Sequence, residues 1–436
     1  MTSPLWQNQG TVDQRAMAYM AGDDVILDRE LLPFDIRATR AHVLGLVSIQ
    51  VIEKSEGGQI VDALDRLKAQ VTDGTFLLDA RFEDGHSAIE WYLTETLGEI
   101  GRRVHLGRSR NDQVAVALRL YMKDMLEQCG ELLCNSAAAA ISLASTYLFT
   151  PMPGYTHMQR AVPSSVGLWM ASFGESFTDA AELCAVTRNW LNSCPLGTAA
   201  GYGVNLPLAR EMVSQELGFH RIQVNPMASQ SSRGRLEFQT LSSLWQGMQE
   251  VRRLSWDLTL FSAAEYGFVT MGDSYRTGSS IMPNKANPDM AELLRGASAI
   301  VGGSMSEIQQ ILSLPSGYHR DLQLTKPPLI RGCRAAFSSL EFIPDLLETL
   351  TIHAEKMSQA IDPPMYATDR AVELSVGGMA FRDAYRTVAE ELAEGQFEQS
   401  NPEQSLIARV SAGACGDLML ESLTDRVANT RALFDS

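Results

Sequence analysis

The feature that most constrains this chain is how rarely proline or glycine interrupts its middle. Residues 112–147 contain no proline and a single glycine, Gly130. Across them Val114, Leu118, Tyr121, Met122, Met125, Leu126, Leu132 and Leu133 recur at three- and four-residue steps, the period of a helix with one apolar face. At 1.5 Å per residue such a helix runs roughly 50 Å, which suits a bundle. Comparable runs at 164–190, 235–266, 288–314 and 328–361 predict further long helices, and the succession predicts an all-α fold built on a helical bundle. A nucleotide-binding parallel sheet is not supported: short strands do not alternate with the helices, and Gly201-Tyr202-Gly203 lacks the third glycine of a phosphate loop.

The 436 residues exceed what one core usually serves, so several domains are expected. Residues 1–108 hold shorter amphipathic pieces separated by Gly57-Gly58 and Asp73-Gly74, and read as a first helical domain. Residues 109–361 form the central long-helix domain. Residues 362–436, after Asp362-Pro363-Pro364, are broken again by Gly377-Gly378 and Gly413 and read as a third, small helical domain. The formal charge of −16 repels phosphate, arguing against nucleic acid and anionic membrane as partners. An anionic substrate therefore needs a locally basic pocket. The longest apolar stretch, around 137–149, is too short to span a bilayer. The start, Met-Thr-Ser-Pro-Leu-Trp-Gln, has neither the basic nor the apolar region of a signal peptide, so a cytoplasmic location is expected. The six cysteines form no C-x-x-C pair and sit near no histidine cluster; they are expected to be reduced, buried thiols, with no metal site.

The chemistry is concentrated in the segments between helices, where a rigid scaffold can present reactive groups. The strongest is Thr277-Gly278-Ser279-Ser280-Ile281-Met282-Pro283-Asn284-Lys285-Ala286-Asn287-Pro288-Asp289-Met290-Ala291-Glu292. Gly278 and two serines give a flexible segment, and Asn287-Pro288 reads as a capped helix start with proline in its first position. Glu292, seven residues beyond Lys285, can point back towards the loop from inside the helix. Serine is a poor base at its ordinary pKa, but an ammonium and oriented amides stabilise its alkoxide, and the same ammonium stabilises a carboxylate that becomes doubly charged.

Taken whole, this string resembles the fumarase/aspartase superfamily signature G-S-S-x-M-P-x-K-x-N-P. Three other segments are similar to argininosuccinate lyases within it: 105–115, containing Gly107-Arg108-Ser109-Arg110-Asn111-Asp112-Gln113-Val114-Ala115; Gly154-Tyr155-Thr156-His157-Met158-Gln159-Arg160-Ala161-Val162-Pro163; and Tyr318-His319-Arg320-Asp321-Leu322-Gln323-Leu324-Thr325-Lys326. The stretch from Phe82 to Glu90 also follows the family pattern, with His86 read as support for the fold. Residue by residue, the resemblance implies Ser279 as base, Lys285 as electrostatic stabiliser, and His157, tuned by Glu292, as proton donor or relay. Asn111, Thr156, Arg110, Ser280, Tyr318, Gln323 and Lys326 would hold the substrate. It further implies β-elimination of argininosuccinate to arginine and fumarate without metal or organic cofactor, in a homotetramer whose active sites are each built from loops of three subunits.

The residues around 105–115 also support a plainer reading, in which Ser109 or Asn111 caps a helix; both readings can hold together, because a helix N-terminus attracts a carboxylate. Two departures from the family pattern keep other N-substituted aspartates, such as acetylated argininosuccinate, in view. Ala21-Gly22-Asp23-Asp24 stands where relatives have an asparagine-rich segment with a substrate-binding serine. A carboxylate there can meet the substrate guanidinium, or Gly22 and Asp23 can bind through backbone; the residues leave both open. Ser231-Ser232-Arg233-Gly234-Arg235 stands where relatives have S-x-R-D-F. An inactive, crystallin-like homologue would be expected to have lost a catalytic residue, and Ser279, Lys285, His157 and Glu292 are all present.

Overall fold

The computed structural model describes residues 13–435, apart from Ala80 and Gln399; the first twelve residues, read above for a targeting signal, lie outside it. The main elements in chain order are α1 (Gln14–Ala21), α2 (Asp24–Ser48), α3 (Lys54–Thr72), α4 (Gly85–Leu97), α5 (Arg110–Thr146), β1 (Pro151–Thr156), β2 (Gln159–Ser165), α6 (Val166–Trp190) and α7 (Arg235–Phe261). After them come β3 (Thr277–Gly278), β4 (Ala286–Asn287), α8 (Asp289–Ile311) and α9 (Lys326–Leu340), with shorter helices to the end of the chain. The fold is mostly helical, as expected. The helix predicted over 112–147 spans 37 residues, about 55 Å by its rise per residue.

The long helix expected over 328–361 is instead three pieces, Lys326–Leu340, Ile343–Glu348 and Ala354–Gln359, with Thr351–Ile352 between the last two forming a strand paired to Val269–Thr270. Pro344 explains the first break: it carries no N–H and opens the next helix within its first two positions. The segment read as a loop at 154–163 is the outer part of an antiparallel hairpin, β1 on β2. Its prolines are tolerated because a two-stranded ribbon has no interior strand, so Pro153 and Pro163 face each other without costing a ladder bond. A register shift separates Pro153 from Tyr155, and a side chain on Gly154 between them would strike the Val162 carbonyl oxygen.

The backbone gathers into two compact units, each discontinuous in sequence: 1–125 with 188–240 and 304–331, and 126–187 with 241–303 and 332–436. These divisions cut through α5, α6, α7, α8 and α9. Two cores stand out among the described residues of the first unit. One packs Leu32, Ile36, Val43 and Leu46 of α2 against Ile60, Leu64 and Leu67 of α3 and Leu93 of α4. The other joins Ala38 and Ala41 to Val116 and Leu120 of α5 and to Leu196, Val213 and Phe219.

In the second unit an aromatic cluster of Tyr155, Trp169, Phe261, Tyr266 and Phe268 holds the hairpin close to its tip through Tyr155, with ring centroids 5.3 to 6.3 Å apart. Gly130, the one glycine inside the long helix, is required by packing: a Cβ there would lie 2.1 Å from the Phe434 ring. All six cysteines are free and buried.

Candidate active site

Ser279 leaves β3 into a seven-residue loop whose neck is closed by the pairs Thr277 with Asn287 and Gly278 with Ala286. Asn287 is thus drawn into the ladder, and α8 begins at Asp289 rather than at Pro288. Thr277 Oγ1 donates to the Asp289 carboxylate, fastening the neck to the helix. Within the loop, Ser279 Oγ accepts main-chain N–H bonds from Met282 at 3.1 Å and Ile281 at 3.4 Å. Donors aimed at a hydroxyl oxygen favour its deprotonated form. Lys285 stands exposed on the same loop, its N–H donating to Met282 O. Ser280 is exposed beside it.

Thr156 and His157 lie at the tip of the β1–β2 hairpin. Thr156 pairs with Gln159, leaving His157 and Met158 as a two-residue turn with φ of 54° and 59°. Two consecutive positive φ values are those of a type I′ turn, which ordinarily takes Asn-Gly. Placing His and Met there stores strain, and strained backbone concentrates where function demands a particular side chain. An asparagine at 157 should therefore keep or slightly raise thermal stability, by a few tenths of a kcal/mol, while cutting turnover by roughly 10²–10⁴ if the imidazole handles a proton. Parallel melting and rate measurements on His157→Asn separate the two effects.

Glu292 sits in the first turn of α8 with its carboxylate 3.9 Å from Arg295. Among the described residues no hydrogen bond joins it to His157, so the structure of the single chain does not make the pairing inferred from the family.

The remaining candidates belong to the first unit. Asn111 and Arg110 open α5, and Ser109 caps it, its Oγ accepting from Asn111 N at 3.3 Å. A residue that sequence reasoning passed over organises this turn. Asp112 is fully buried; one carboxylate oxygen accepts Ser109 N at 2.9 Å and the other accepts Gly197 N at 3.0 Å and Ala199 N at 2.9 Å. The helix start is thus already served by its own acid. Arg110 reaches Glu83 at 3.0 Å and Asp84 at 2.9 Å. Burial, with Arg108 and Arg110 nearby, pushes His105 down to about 4, keeping it neutral at neutral pH. Burial also works against a charged His86, but Asp35, 2.5 Å away, and the neighbouring Asp84 and Asp28 outweigh it and hold the imidazolium above its ordinary value. His86 is buried in this ion-pair cluster.

The segment 318–326 is a loop and a short 3₁₀ turn running into α9. Tyr318 is half-buried there. Gln323 Nε2 donates to Met20 O at 3.0 Å, and Lys326, only 3% exposed, lies 3.0 Å from Asp24 and 2.7 Å from Asp28. The Arg233-Gly234 departure lies beside this segment. Gly234 has φ of 76°, and a Cβ on it would lie 2.2 Å from the Leu312 Cδ2 methyl, so a larger residue here requires the Leu312 side chain to move. Arg233 is buried, ion-paired with Glu237 at 3.1 Å, and donates to Leu322 O at 3.2 Å, bracing the 318–326 segment from behind. Its role had no signal in the sequence beyond the departure itself.

A family model described as a lyase matches residues 8–303. Fold, loops and this match together define a carbon–nitrogen lyase of the fumarase/aspartase type. Curated relatives include the argininosuccinate lyases of Sorangium cellulosum (strain So ce56), 49% identical over 98% of this chain and 99% of that protein, and of Xylella fastidiosa (strain 9a5c), 48% identical over 98% and 96%. The chain belongs to the argininosuccinate lyase family. Among solved structures it is similar to an EDDS lyase in complex with formate (TM-score 0.80, 23% identity, covering 98% of this chain and 92% of that one). It is also similar to a class II fumarase from Schistosoma mansoni (TM-score 0.73, 16% identity, covering 98% and 96%). These two likenesses bear on the fold alone.

Proposed function

We propose that this enzyme eliminates fumarate from argininosuccinate, leaving arginine. The observation that carries the reading is the Ser279 loop, where a hydroxyl lies under two main-chain N–H groups on a hairpin that also bears Lys285. Ser279 takes a proton from the succinyl methylene, and the electron pair left on carbon is delocalised into the adjacent carboxylate. Lys285 stabilises that doubly charged group. As the carbon–carbon double bond forms, the carbon–nitrogen bond breaks, and His157, tuned by Glu292, returns a proton to the departing guanidine nitrogen. A protonated guanidine leaves without carrying negative charge. Thr156, Ser280, Asn111, Tyr318, Gln323, Arg110 and Lys326 hold the substrate, the last two together with the Asp and Glu side chains paired to them. Argininosuccinate should yield rising ultraviolet absorbance from fumarate; a folded protein giving none would overturn the assignment.

The division into segments 1–108, 109–361 and 362–436 stands as part of the same proposal, as does a cytoplasmic setting. Among the described residues no helix is long and apolar enough to cross a membrane.

A homotetramer completing each active site with loops of several chains also belongs to this reading. What supports it is the outer face of α8, where Leu293 and Ile300 are exposed and a side chain on Gly296 or Gly303 would meet nothing within 4 Å. Apolar residues alternating with glycines along one helix face suit close packing of another helix. Trp256 of α7, with the Arg295 guanidinium 4.0 Å from its ring, extends the same surface.

A further inference from the structure

We propose that Asp362 is a positioning residue for the reaction: through Arg160 it fixes the hairpin tip that presents His157, and so sets turnover without touching substrate. The inference rests on the argininosuccinate reaction proposed above, in which His157 returns the proton.

The tip needs an external anchor. The ladder is interrupted at Gly154, and beyond it two pairs remain, Tyr155 with Arg160 and Thr156 with Gln159. Such an irregularity bends a strand and re-aims what lies beyond it, and a two-stranded ribbon has little stability of its own. Residues 156–160 are all exposed, so packing within the chain does not hold them. On one strand the Tyr155 ring lies against Phe261 and Tyr266, with centroids 6.3 and 6.1 Å apart. On the other, Arg160 donates to the Asp362 carboxylate at 2.9 Å, and the same guanidinium hydrogen-bonds the Tyr155 hydroxyl. Arg160 thus ties both strands of the tip to one carboxylate, 202 residues away in the chain.

Asp362 is itself held in place. Its neighbours Ile361, Met365 and Tyr366 form a buried cluster, and Pro363-Pro364 between them fix the backbone as it enters the 3₁₀ turn Pro363–Tyr366. The carboxylate therefore leaves a rigid backbone while its own side chain is 40% exposed. Exposed ion pairs contribute little to stability, because water screens them and two side chains must be ordered. Orientation obeys a different scale: misplacing a reacting group by about 1 Å can cost about a hundredfold in rate. Without the pair the tip is free to turn beyond Gly154, and few of its orientations bring the imidazole to the departing nitrogen. The signature is an enzyme that melts like the wild type and turns over slowly.

The test measures fumarate release and melting temperature for Asp362→Ala, for Asp362→Glu, and for Asp362→Ala placed in a His157→Asn background. In Asp362→Ala kcat should fall about fivefold or more, with the melting temperature within about 2 °C of the wild type. Asp362→Glu keeps the charge, and an exposed side chain has room for one more methylene, so kcat should stay within about twofold of the wild type. In His157→Asn the tip has no imidazole left to place, so adding Asp362→Ala should lower the residual rate by about twofold at most, the share carried by Thr156. A merely structural role would lower the rate alike in both backgrounds. A folded Asp362→Ala protein with wild-type kcat, an Asp362→Glu protein as impaired as Asp362→Ala, or the full fivefold loss in the His157→Asn background would each overturn the role of Asp362. Absence of turnover in the wild type would overturn the reaction itself, and the inference with it.

Discussion

Replacing Ser279 by alanine should lower kcat by at least about a thousandfold while leaving the helical fold and melting temperature near those of the wild type. The side chain lost is small and half-buried, and among the described residues its hydrogen bonds stay within its own loop, to the N–H groups of Ile281 and Met282. Little stability resides in it. The chemistry loses its base, and the two amides that polarised the hydroxyl are left to water. Steady-state fumarate production alongside circular dichroism is the check, and a Ser279→Ala protein with full turnover would remove the base assignment. Mixing this variant with His157→Asn extends the test. If loops of different chains complete each site, dissociation and reassembly of the two inactive proteins should restore part of the activity, because some mixed sites receive both intact residues. No recovery on reassembly would speak against shared sites.

The second large effect concerns stability. Changing Lys326 to methionine should cost ~3–5 kcal/mol, the usual penalty for removing one partner of a buried ion pair, because Asp28 is left buried beside Asp24 with no ammonium between them. In the wild type burial opposes a charged Lys326, yet Asp28 and Asp24 more than offset it and raise the ammonium above its ordinary value. With a raised folded value, the stability it contributes is fully present at neutral pH and lost only as alkali titrates the ammonium. The deficit in Lys326→Met should shrink on mild acidification, since a protonated carboxyl needs no counter-charge. Chemical denaturation across a pH series measures both. A variant as stable as the wild type at neutral pH would show that the triad carries no structural weight.

The long helices were legible because their apolar residues recur without interruption: the stretch read as helical from 112 is α5 from Arg110, and that read from 235 is α7 from Arg235. The Ser279 loop was legible because a run of fixed residues carries its chemistry locally. What escaped was set by partners distant in the chain. Nothing near Lys326 announces Asp24, 302 residues away, and nothing near Asp112 announces Gly197 and Ala199. The hairpin at Pro151–Thr156 and Gln159–Ser165 was hidden because its prolines argue against a strand and its turn holds His-Met in place of Asn-Gly. The break within the segment read as helical from 328 was signalled by Pro344, which the apolar pattern around it outweighed. Gly234 reads in the sequence as a lost aspartate; its positive φ and the Leu312 methyl beside it are visible only in the fold.

The most direct test of the central claim is to incubate the purified enzyme with argininosuccinate and quantify fumarate and arginine together. The account predicts the two products in equal amounts, formed by the wild type and not by Ser279→Ala. A folded wild-type protein that releases neither, or that releases arginine without fumarate, would contradict it.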